Sequence, residues 1–274
     1  MDVDSRIPFG LSTDSGRIVD VGSVERGNAC RCICPSCKTP LVARHGTQNA
    51  WHFAHRSQET HNETCNECDY SFAVSVRLMI RQLATNGLKF KVPRLEGVLP
   101  AYSEFTHQAK DFDYLVTEES LLTLEDVEVG AAFCGETVDV LGLVKSVPFV
   151  VHVTYKDRNL PISLKEPQVA RSGVIELNVD DLPQLFAKED SGQYQEVLRR
   201  YIEDRTDGKT WAYHPREKKL KNIAIAQRDS WLDQQDAEVK LNTSANYTCR
   251  MCGWVGPSIK CESCDSHLYT SNKI

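Results

Sequence analysis

Hydrophobic and polar positions along the chain predict one amphipathic helix that separates a cysteine-rich region from a series of strands. The segment Ser71–Leu83 places apolar residues at helical spacing, with Arg77 and Arg81 four positions apart on one face. Asn86 and Gly87 form the kind of pair at which a helix ends. A short strand is also indicated before the cysteines, at Arg17–Val21.

Beyond the helix, strand-type sequence predominates. The strand candidates are Lys89–Val92, Ser120–Val129, Thr137–Val144, Pro148–Tyr155 and Gly173–Val179. Lys145 and Ser146 predict a hairpin turn between the third and the fourth of these. A helix around Asp180–Phe186 follows, with an aspartate as its N-cap. This order predicts a core of modest size in the α+β or α/β class.

The segment from Tyr194 to Leu241 is charged and has a helical pattern. Asp207-Gly208 and His214-Pro215 interrupt it, so we interpret it as two helices that form a spacer or a brace.

The cysteines point to metal rather than to disulfides. Ten of the eleven lie in two clusters, Cys30–Cys68 and Cys249–Cys264. The first residues have acids where a signal peptide needs a basic flank, and the longest apolar stretch, Val147–Val153, is too short to span a bilayer. We therefore expect a cytoplasmic protein with no membrane association, in which Cys-x-x-Cys pairs stay reduced and bind metal.

The C-terminal cluster has the spacing of a zinc ribbon. Cys249-Arg-Met-Cys252 and Cys261-Glu-Ser-Cys264 are separated by eight residues. Two such turns offer four thiolates in a closed tetrahedral set, which suits structural zinc. Because this tail has little apolar surface, the metal would supply its folding energy.

The N-terminal cluster offers more ligands than one zinc ion needs. Cys34-Pro-Ser-Cys37 is followed after fourteen residues by His52-Phe-Ala-His55, and then by Cys65-Asn-Glu-Cys68. A hairpin that turns at His45-Gly46 would carry both histidines back beside the first pair. We favour a site of Cys34, Cys37, His55 and one of Cys65 or Cys68, and the alternative is Cys34, Cys37, His52 and His55. Further candidates are Cys30, Cys32 and His61. Two structural zinc ions per chain are expected.

The net charge of −6 argues against a general affinity for nucleic acid, but the charge is uneven. Arg26–His61 contains five Lys/Arg and one Glu, Arg94–Asp139 two Lys/Arg and eleven acids, and Val197–Lys221 eight Lys/Arg and four acids. The basic segments on either side of the acidic one would hold a phosphate backbone. Alternatively, all three segments form a solvated surface, and the composition leaves both interpretations open.

Three N-terminal motifs together resemble a known family. Cys30-Arg-Cys-Ile-Cys-Pro-Ser-Cys37, Leu41-Val-Ala-Arg-His-Gly46 and Trp51-His-Phe-Ala-His55 resemble the zinc finger of the competence-protein CoiA-like family. That family joins the finger to a PD-(D/E)XK nuclease domain. The resemblance therefore implies a restriction-endonuclease-like mixed sheet with flanking helices, and a context of competence or phage defence. It covers roughly residues 27–185 and leaves the C-terminal ribbon outside.

The resemblance also implies a nuclease centre, in which clustered carboxylates hold Mg²⁺ or Mn²⁺ to activate water. Asp139 matches the strand aspartate of the family, and Glu176 matches an acid of a late strand. His152 stands where the next strand acid is expected, and Ala73 stands where a helix glutamate is expected. The implied catalytic residues are Asp139, His152 and Glu176.

Two carboxylates of the family pattern are thus replaced. Glu136, Glu176 or Asp157 would have to turn inward to complete the centre. Lys156 or Arg158 would orient the phosphate.

Three functions follow as alternatives. The first is a nuclease that acts on DNA. The second is a nuclease-like domain that binds nucleic acid without cutting it, with Arg77, Arg81 and the basic finger on phosphate. The third is a zinc-braced scaffold whose ribbon docks a protein partner. The predicted domains are a finger region (1–69), a nuclease-like core (70–190), a helical spacer (191–243) and a ribbon (244–274).

Overall fold

The computed structural model consists of two compact units. The first comprises Met1–Leu95 and Thr117–Pro215, and the second comprises Glu96–Val116 and Arg216–Ile274. The structure describes residues 6–47, 50–56, 71–104, 106–169, 171–189, 191–243 and 247–272. Within these ranges, no helix is both long enough and apolar enough to cross a membrane.

Short strands form the N-terminal part of the first unit. They are β1 (Phe9–Ser12), β2 (Ile18–Asp20), β3 (Cys32–Ile33), β4 (Leu41–Arg44) and β5 (His52–His55). Strand β1 pairs antiparallel with β2 and with β3, and β4 pairs with β5. The predicted hairpin around His45 and Gly46 is confirmed. Three side chains of these strands are almost fully buried, namely Phe9, Leu41 and Phe53.

A mixed sheet forms the centre of the first unit. The elements after β5 are α1 (Ser71–Ala84), β6 (Phe90–Val92), β7 (Leu95–Tyr102), β8 (Ala109–Thr117), β9 (Ser120–Leu122), β10 (Glu125–Val129), β11 (Ala132–Phe133), β12 (Glu136–Thr137), β13 (Val140–Val144), β14 (Val147–Thr154), α2 (Ile162–Lys165), β15 (Gly173–Asn178), α3 (Leu182–Phe186), α4 (Tyr194–Asp204) and β16 (Lys209–Tyr213). The central sheet has the order β10-β13-β14-β15-β16. Strands β14 and β15 are parallel and the other pairs are antiparallel. The expected mixed α and β composition is confirmed.

Helix α1 packs its apolar face into a core shared by the sheet and the N-terminal strands. Its buried side chains recur at helical spacing, which is the pattern of a helix with one face in the core. They include Val76, Met79, Ile80 and Leu83. Each such side chain contributes roughly 1.5–3 kcal/mol on burial. Phe53 from β5 and Val151 from β14 belong to the same core.

Hydrogen bonds also join the N-terminal strands to the helices. The Gln82 side chain accepts from the Ile18 N–H at 2.9 Å and donates to the Ile18 carbonyl at 2.8 Å. The Tyr194 hydroxyl donates to the Trp51 carbonyl at 2.6 Å. These side chains extend across the boundary at residue 69, so the finger region and the helices around it pack as parts of one unit.

Two of the differences between the structure and the sequence-based prediction concern β16 and the β7–β8 hairpin. Strand β16 lies inside the predicted helical spacer and forms one edge of the central sheet, next to β15. Its first residue, Lys209, is buried. In the sequence, a lysine at this position indicates the charged face of a helix and not a buried strand. Strands β7 and β8 were not predicted, because charged residues and Pro100 obscure the alternation of their half-exposed side chains.

The second unit contains α5 (Glu217–Thr243), β17 (Tyr247–Cys249), β18 (Val255–Gly256) and β19 (Thr270–Asn272). The tip of the β7–β8 hairpin packs on α5. Phe112 lies 6.0 Å from Trp231 between ring centroids, and the Thr106 hydroxyl donates to the Gln235 side chain at 2.8 Å. Strands β18, β17 and β19 form the small sheet of the ribbon.

Candidate functional site

The ribbon brings its four cysteines together. Strand β17 ends at Cys249, and the following turn is closed by a hydrogen bond from the Gly253 N–H to the Cys249 carbonyl at 2.9 Å. Gly253 has a φ of 74°, a backbone conformation that glycine adopts without steric cost. The sulfur atoms of Cys249, Cys252, Cys261 and Cys264 all lie within 4.8 Å of one another.

The distances between these sulfurs fit a zinc ion. A tetrahedral site with Zn–S bonds of about 2.3 Å has sulfur–sulfur edges of about 3.8 Å. The sulfurs of Cys252 and Cys261 are 3.4 Å apart, and those of Cys249 and Cys264 are 3.9 Å apart. Four thiolates also form the ligand set that a structural zinc site uses, so the donor chemistry agrees with the geometry.

The N-terminal region brings three candidate ligands together, namely Cys34, Cys37 and His55. The Cys37 sulfur lies 3.4 Å from His55 Nε2. Tetrahedral zinc with one sulfur and one nitrogen ligand places these atoms about 3.6 Å apart. These three residues all belong to the ligand set that we favoured from sequence. The two candidates for the fourth ligand, Cys65 and Cys68, lie outside the described residues, as does His61.

His52 is not brought to this group. Successive side chains of a strand point to opposite faces, so His52 and His55, three positions apart in β5, face opposite sides. His52 Nδ1 lies 2.9 Å from the Ala50 carbonyl. The structure therefore gives no support to a Cys₂His₂ site that uses both histidines. Cys30 and Cys32 are buried and place their sulfurs near backbone carbonyls.

Asp139 lies directly before β13, at the centre of a cluster of three arginines. Arg77 and Arg81 project from α1, and Arg158 follows β14. The Asp139 side chain has no exposed surface, and the arginine side chains are 20%, 17% and 19% exposed in that order. We refer to these four residues as the Asp139 cluster.

Each oxygen of the Asp139 carboxylate has at least two donors. Oδ1 accepts from Arg77 Nε at 2.5 Å and from Arg81 Nε at 2.9 Å. Arg81 Nη2 also lies 2.7 Å from Oδ1, as a close ion pair without hydrogen-bond geometry. Oδ2 accepts from Arg158 Nη1 at 3.0 Å and from the Val153 N–H at 2.8 Å. The carboxylate is thus occupied by protein donors on both sides.

The charges of the cluster perturb one another. Burial opposes ionisation of Asp139, but Arg77 and Arg158 outweigh it, so the pKa of this carboxyl lies below its usual value. Burial lowers the pKa of Arg81; Asp139 counteracts this effect, while Arg77 and Arg158 reinforce it. Burial is thus the largest cause of the lowered pKa of Arg81, and the charge of Asp139 offsets only part of the lowering.

His152 lies beside this cluster, on the strand that supplies the Val153 N–H. It is 3% exposed, and its Nδ1 has no hydrogen-bond partner within the described part of the chain. Burial and then Arg158 lower the pKa of His152 to about 4, with Arg77 also lowering it and Asp139 and Glu136 opposing. His152 is therefore neutral at pH 7.

The other implied acids have partners of their own. Glu176 is opposite His152 in the β14–β15 register and accepts from the Thr154 hydroxyl at 2.8 Å. Glu136 accepts from the Ser163 hydroxyl at 2.9 Å. Among the described residues, Asp139, His152 and Glu176 do not form a group of ligand atoms within metal-binding reach. The catalytic role implied for these three residues stays a prediction without geometric support.

The predicted phosphate contacts divide into two kinds. Arg77, Arg81 and Arg158 all belong to the Asp139 cluster, whereas Lys156 is exposed, and its backbone N–H donates to the Asp180 side chain at 3.0 Å. The sequence indicates the arginines and Asp139 separately and does not reveal that they form one cluster. The available signal was the helical spacing of Arg77 and Arg81, which places both on one face.

Comparison with known proteins finds a similarity in the N-terminal region. Residues 23–67 match the family model described as competence protein CoiA, N-terminal domain. The matched segment contains Cys34, Cys37 and His55, and it supports the resemblance found in the sequence motifs. The match ends before α1, so it covers neither the central sheet nor the ribbon. No curated protein and no solved structure shows a significant match to the chain.

Proposed function

We propose that this chain is a zinc-braced nucleic-acid-binding protein whose nuclease-like core binds a phosphate backbone without cutting it. The observation that carries the proposal is the position of Asp139, the expected metal ligand, inside a cluster of three arginines. The order of helix, hairpin, parallel strand and helix is compatible with the restriction-endonuclease-like core that the sequence resemblance implies. The match to the competence protein domain is what favours nucleic acid as the ligand.

Electrostatics argue against a catalytic divalent cation on Asp139. At an effective dielectric constant of 20, a doubly charged ion 4 Å from a unit charge interacts with it by about 8 kcal/mol. One carboxylate would attract the ion by this amount, and three guanidinium groups close to it would each repel the ion by a similar amount. The cluster therefore favours anions over Mg²⁺ or Mn²⁺.

The two cysteine-containing groups have a structural role in this proposal. Cys34 and its neighbours lie in the same core as α1, which carries Arg77 and Arg81. A zinc ion held by Cys34, Cys37 and His55 would fix the strands that pack on α1. It would thereby help to position these arginines.

The test is binding and cleavage measured on the same preparation. The zinc-loaded protein is incubated with single- and double-stranded DNA and RNA in Mg²⁺ or Mn²⁺. We expect binding that weakens steeply as salt rises, because contacts to phosphate release counterions, and no cleavage. Cleavage that Asp139→Ala abolishes would instead establish the nuclease alternative. Absence of binding to every nucleic acid would contradict the proposal.

A second function, docking of a protein partner, is favoured by the surface of the ribbon. Several of its large apolar side chains are exposed, namely Met251, Val255, Ile259, Leu268 and Tyr269. If the ribbon serves a protein contact, Cys252→Ser should unfold it without changing the affinity for nucleic acid. A large loss of that affinity would assign the ribbon to nucleic acid instead.

A further inference from the structure

The Asp139 cluster carries more positive charge than it neutralises internally. All side-chain ion pairs and hydrogen bonds of Arg77, Arg81 and Arg158 to described residues go to Asp139. Three guanidinium groups against one carboxylate leave a net charge of +2. A surplus of this size in a partly buried position attracts an anion strongly, because water screens it less than it screens surface charges.

The guanidinium groups also retain donors for an anion. Each has five N–H bonds arranged in a planar fork. Asp139 engages only Nε of Arg77, Nε and Nη2 of Arg81, and Nη1 of Arg158. About a fifth of each arginine side chain remains exposed, so solvent reaches the cluster. The remaining donors suit the oxygens of a phosphate group, which arginine binds in pairs of parallel hydrogen bonds.

His152 is a buried neighbour of the cluster, and the charges of Arg158, Asp139 and Arg77 act on it. A buried nitrogen without a hydrogen-bond partner is uncommon in folded proteins and calls for a specific explanation. His152 Nδ1 is such an atom, and the backbone of the next residue, Val153, donates to Asp139. Because this nitrogen has almost no surface accessible to solvent, a phosphate bound at the exposed parts of the arginines would affect the imidazole through its charge and not through direct contact.

We propose that Arg77, Arg81 and Arg158 form a metal-independent site for one phosphate group of a nucleic-acid backbone, next to the buried His152. Asp139 acts as the fixed counter-ion that positions the guanidinium groups. This inference rests on the proposed function and names the group of the nucleic acid that the core binds. A divalent cation has no part in the site.

The experiment uses the full-length, zinc-loaded protein without added divalent cations. Affinities for inorganic phosphate and for a short DNA oligonucleotide are measured by calorimetry. Arg158→Gln should weaken both by about tenfold or more, the loss expected from one charge-assisted hydrogen bond. It should also reduce the slope of log affinity against log salt by about 1 for the oligonucleotide. Arg17→Gln, which removes an exposed arginine directly before β2, is the matched control and should change neither affinity.

Asp139→Asn should change the affinity for phosphate in the direction opposite to Arg158→Gln. This variant removes the internal anion, so inorganic phosphate should bind it more tightly than wild type and raise its melting temperature more. Equal phosphate affinity in wild type, Arg158→Gln and Asp139→Asn would overturn the inference.

A measurement on the wild-type protein tests the site without depending on whether the variants fold. Titration with phosphate should shift the imidazole nitrogen resonances of His152, and chloride at equal ionic strength should not. If these resonances do not shift when phosphate is added, the proposed site is wrong. If the oligonucleotide binds equally well to wild type and Arg158→Gln, the inference fails and the proposed function stands. If the oligonucleotide does not bind wild type, the proposed function fails, and a response to inorganic phosphate alone would make the cluster a site for free phosphate.

Discussion

Replacement of Asp139 by asparagine is the perturbation that best separates a structural ion cluster from a catalytic metal site. The substitution keeps the shape of the side chain and removes its charge. In the structure, this charge lies against three arginines and has no exposure to solvent. Asp139→Asn would therefore leave three partly buried guanidinium groups with no counter-ion among the described residues.

The expected magnitude follows from these contacts. A pair of unit charges 4 Å apart contributes about 4 kcal/mol at an effective dielectric constant of 20, so three arginines attract Asp139 by about 12 kcal/mol. Desolvation of the carboxylate offsets several kcal/mol of this, and the amide keeps part of the hydrogen bonding. Removal of one partner from a buried ion pair costs about 3–5 kcal/mol in proteins, and we expect a loss of that size. It corresponds to a fall in melting temperature on the order of 10 °C.

The assay is urea unfolding at pH 7, followed by tryptophan fluorescence and circular dichroism, with zinc content checked in each sample. Glu128→Gln is the control, because it removes an exposed acid from β10 of the same sheet, and it should change stability by less than about 0.5 kcal/mol. If Asp139→Asn unfolds within 1 kcal/mol of wild type, or is more stable, the carboxylate does not hold the arginines as described. That outcome would favour the alternative in which the Asp139 carboxylate is free to bind a metal ion.

The remaining predictions concern zinc, pH and a buried lysine. Purified protein should contain about two zinc ions per chain by elemental analysis; Cys252→Ser should lose one and loosen only the ribbon, whereas Cys37→Ser should lower the melting temperature of the first unit. The pKa of His152, about 4 in the folded chain against 6.5 in the unfolded chain, means that the unfolded state binds the proton first as pH falls. Wild type should therefore lose about 2 kcal/mol more stability than His152→Gln between pH 7 and pH 5, and equal losses would contradict this. Lys209 donates from Nζ to three backbone carbonyls around the end of α4, so Lys209→Met should cost about 1–3 kcal/mol in urea unfolding, and Lys188→Met, an exposed control, should cost little.

Features encoded by short spacings could be predicted from the sequence. The grouping of the four cysteines between Cys249 and Cys264 follows from two turns, and the approach of Cys34 to Cys37 follows from one. The hairpin at Lys145 and Ser146 was also predicted, and both residues adopt the positive φ that such a turn requires. In each case the residues that determine the structure are neighbours in the chain.

Features that depend on distant contacts could not be predicted in this way. Arg77 is 62 positions from Asp139 and Arg81 is 58 positions from it, so their pairing exists only after α1 packs on the sheet. Edge strand β16 was missed for a related reason. Its short sequence has a weak pattern of its own, and it is a strand because β15 offers it a hydrogen-bonding edge.

The missing carboxylates and the arginine cluster have one physical explanation. A centre for Mg²⁺ needs acids to balance its charge, and the chain has Ala73 and His152 where two of them are expected. Without the metal ion that those acids would help to hold, a buried Asp139 would have no counter-ion, at a cost of several kcal/mol. Guanidinium groups on α1 and after β14 supply that counter-charge from the protein itself. Because three of them surround a single carboxylate, the net charge of the cluster is positive, which is the charge that the proposed phosphate ligand requires.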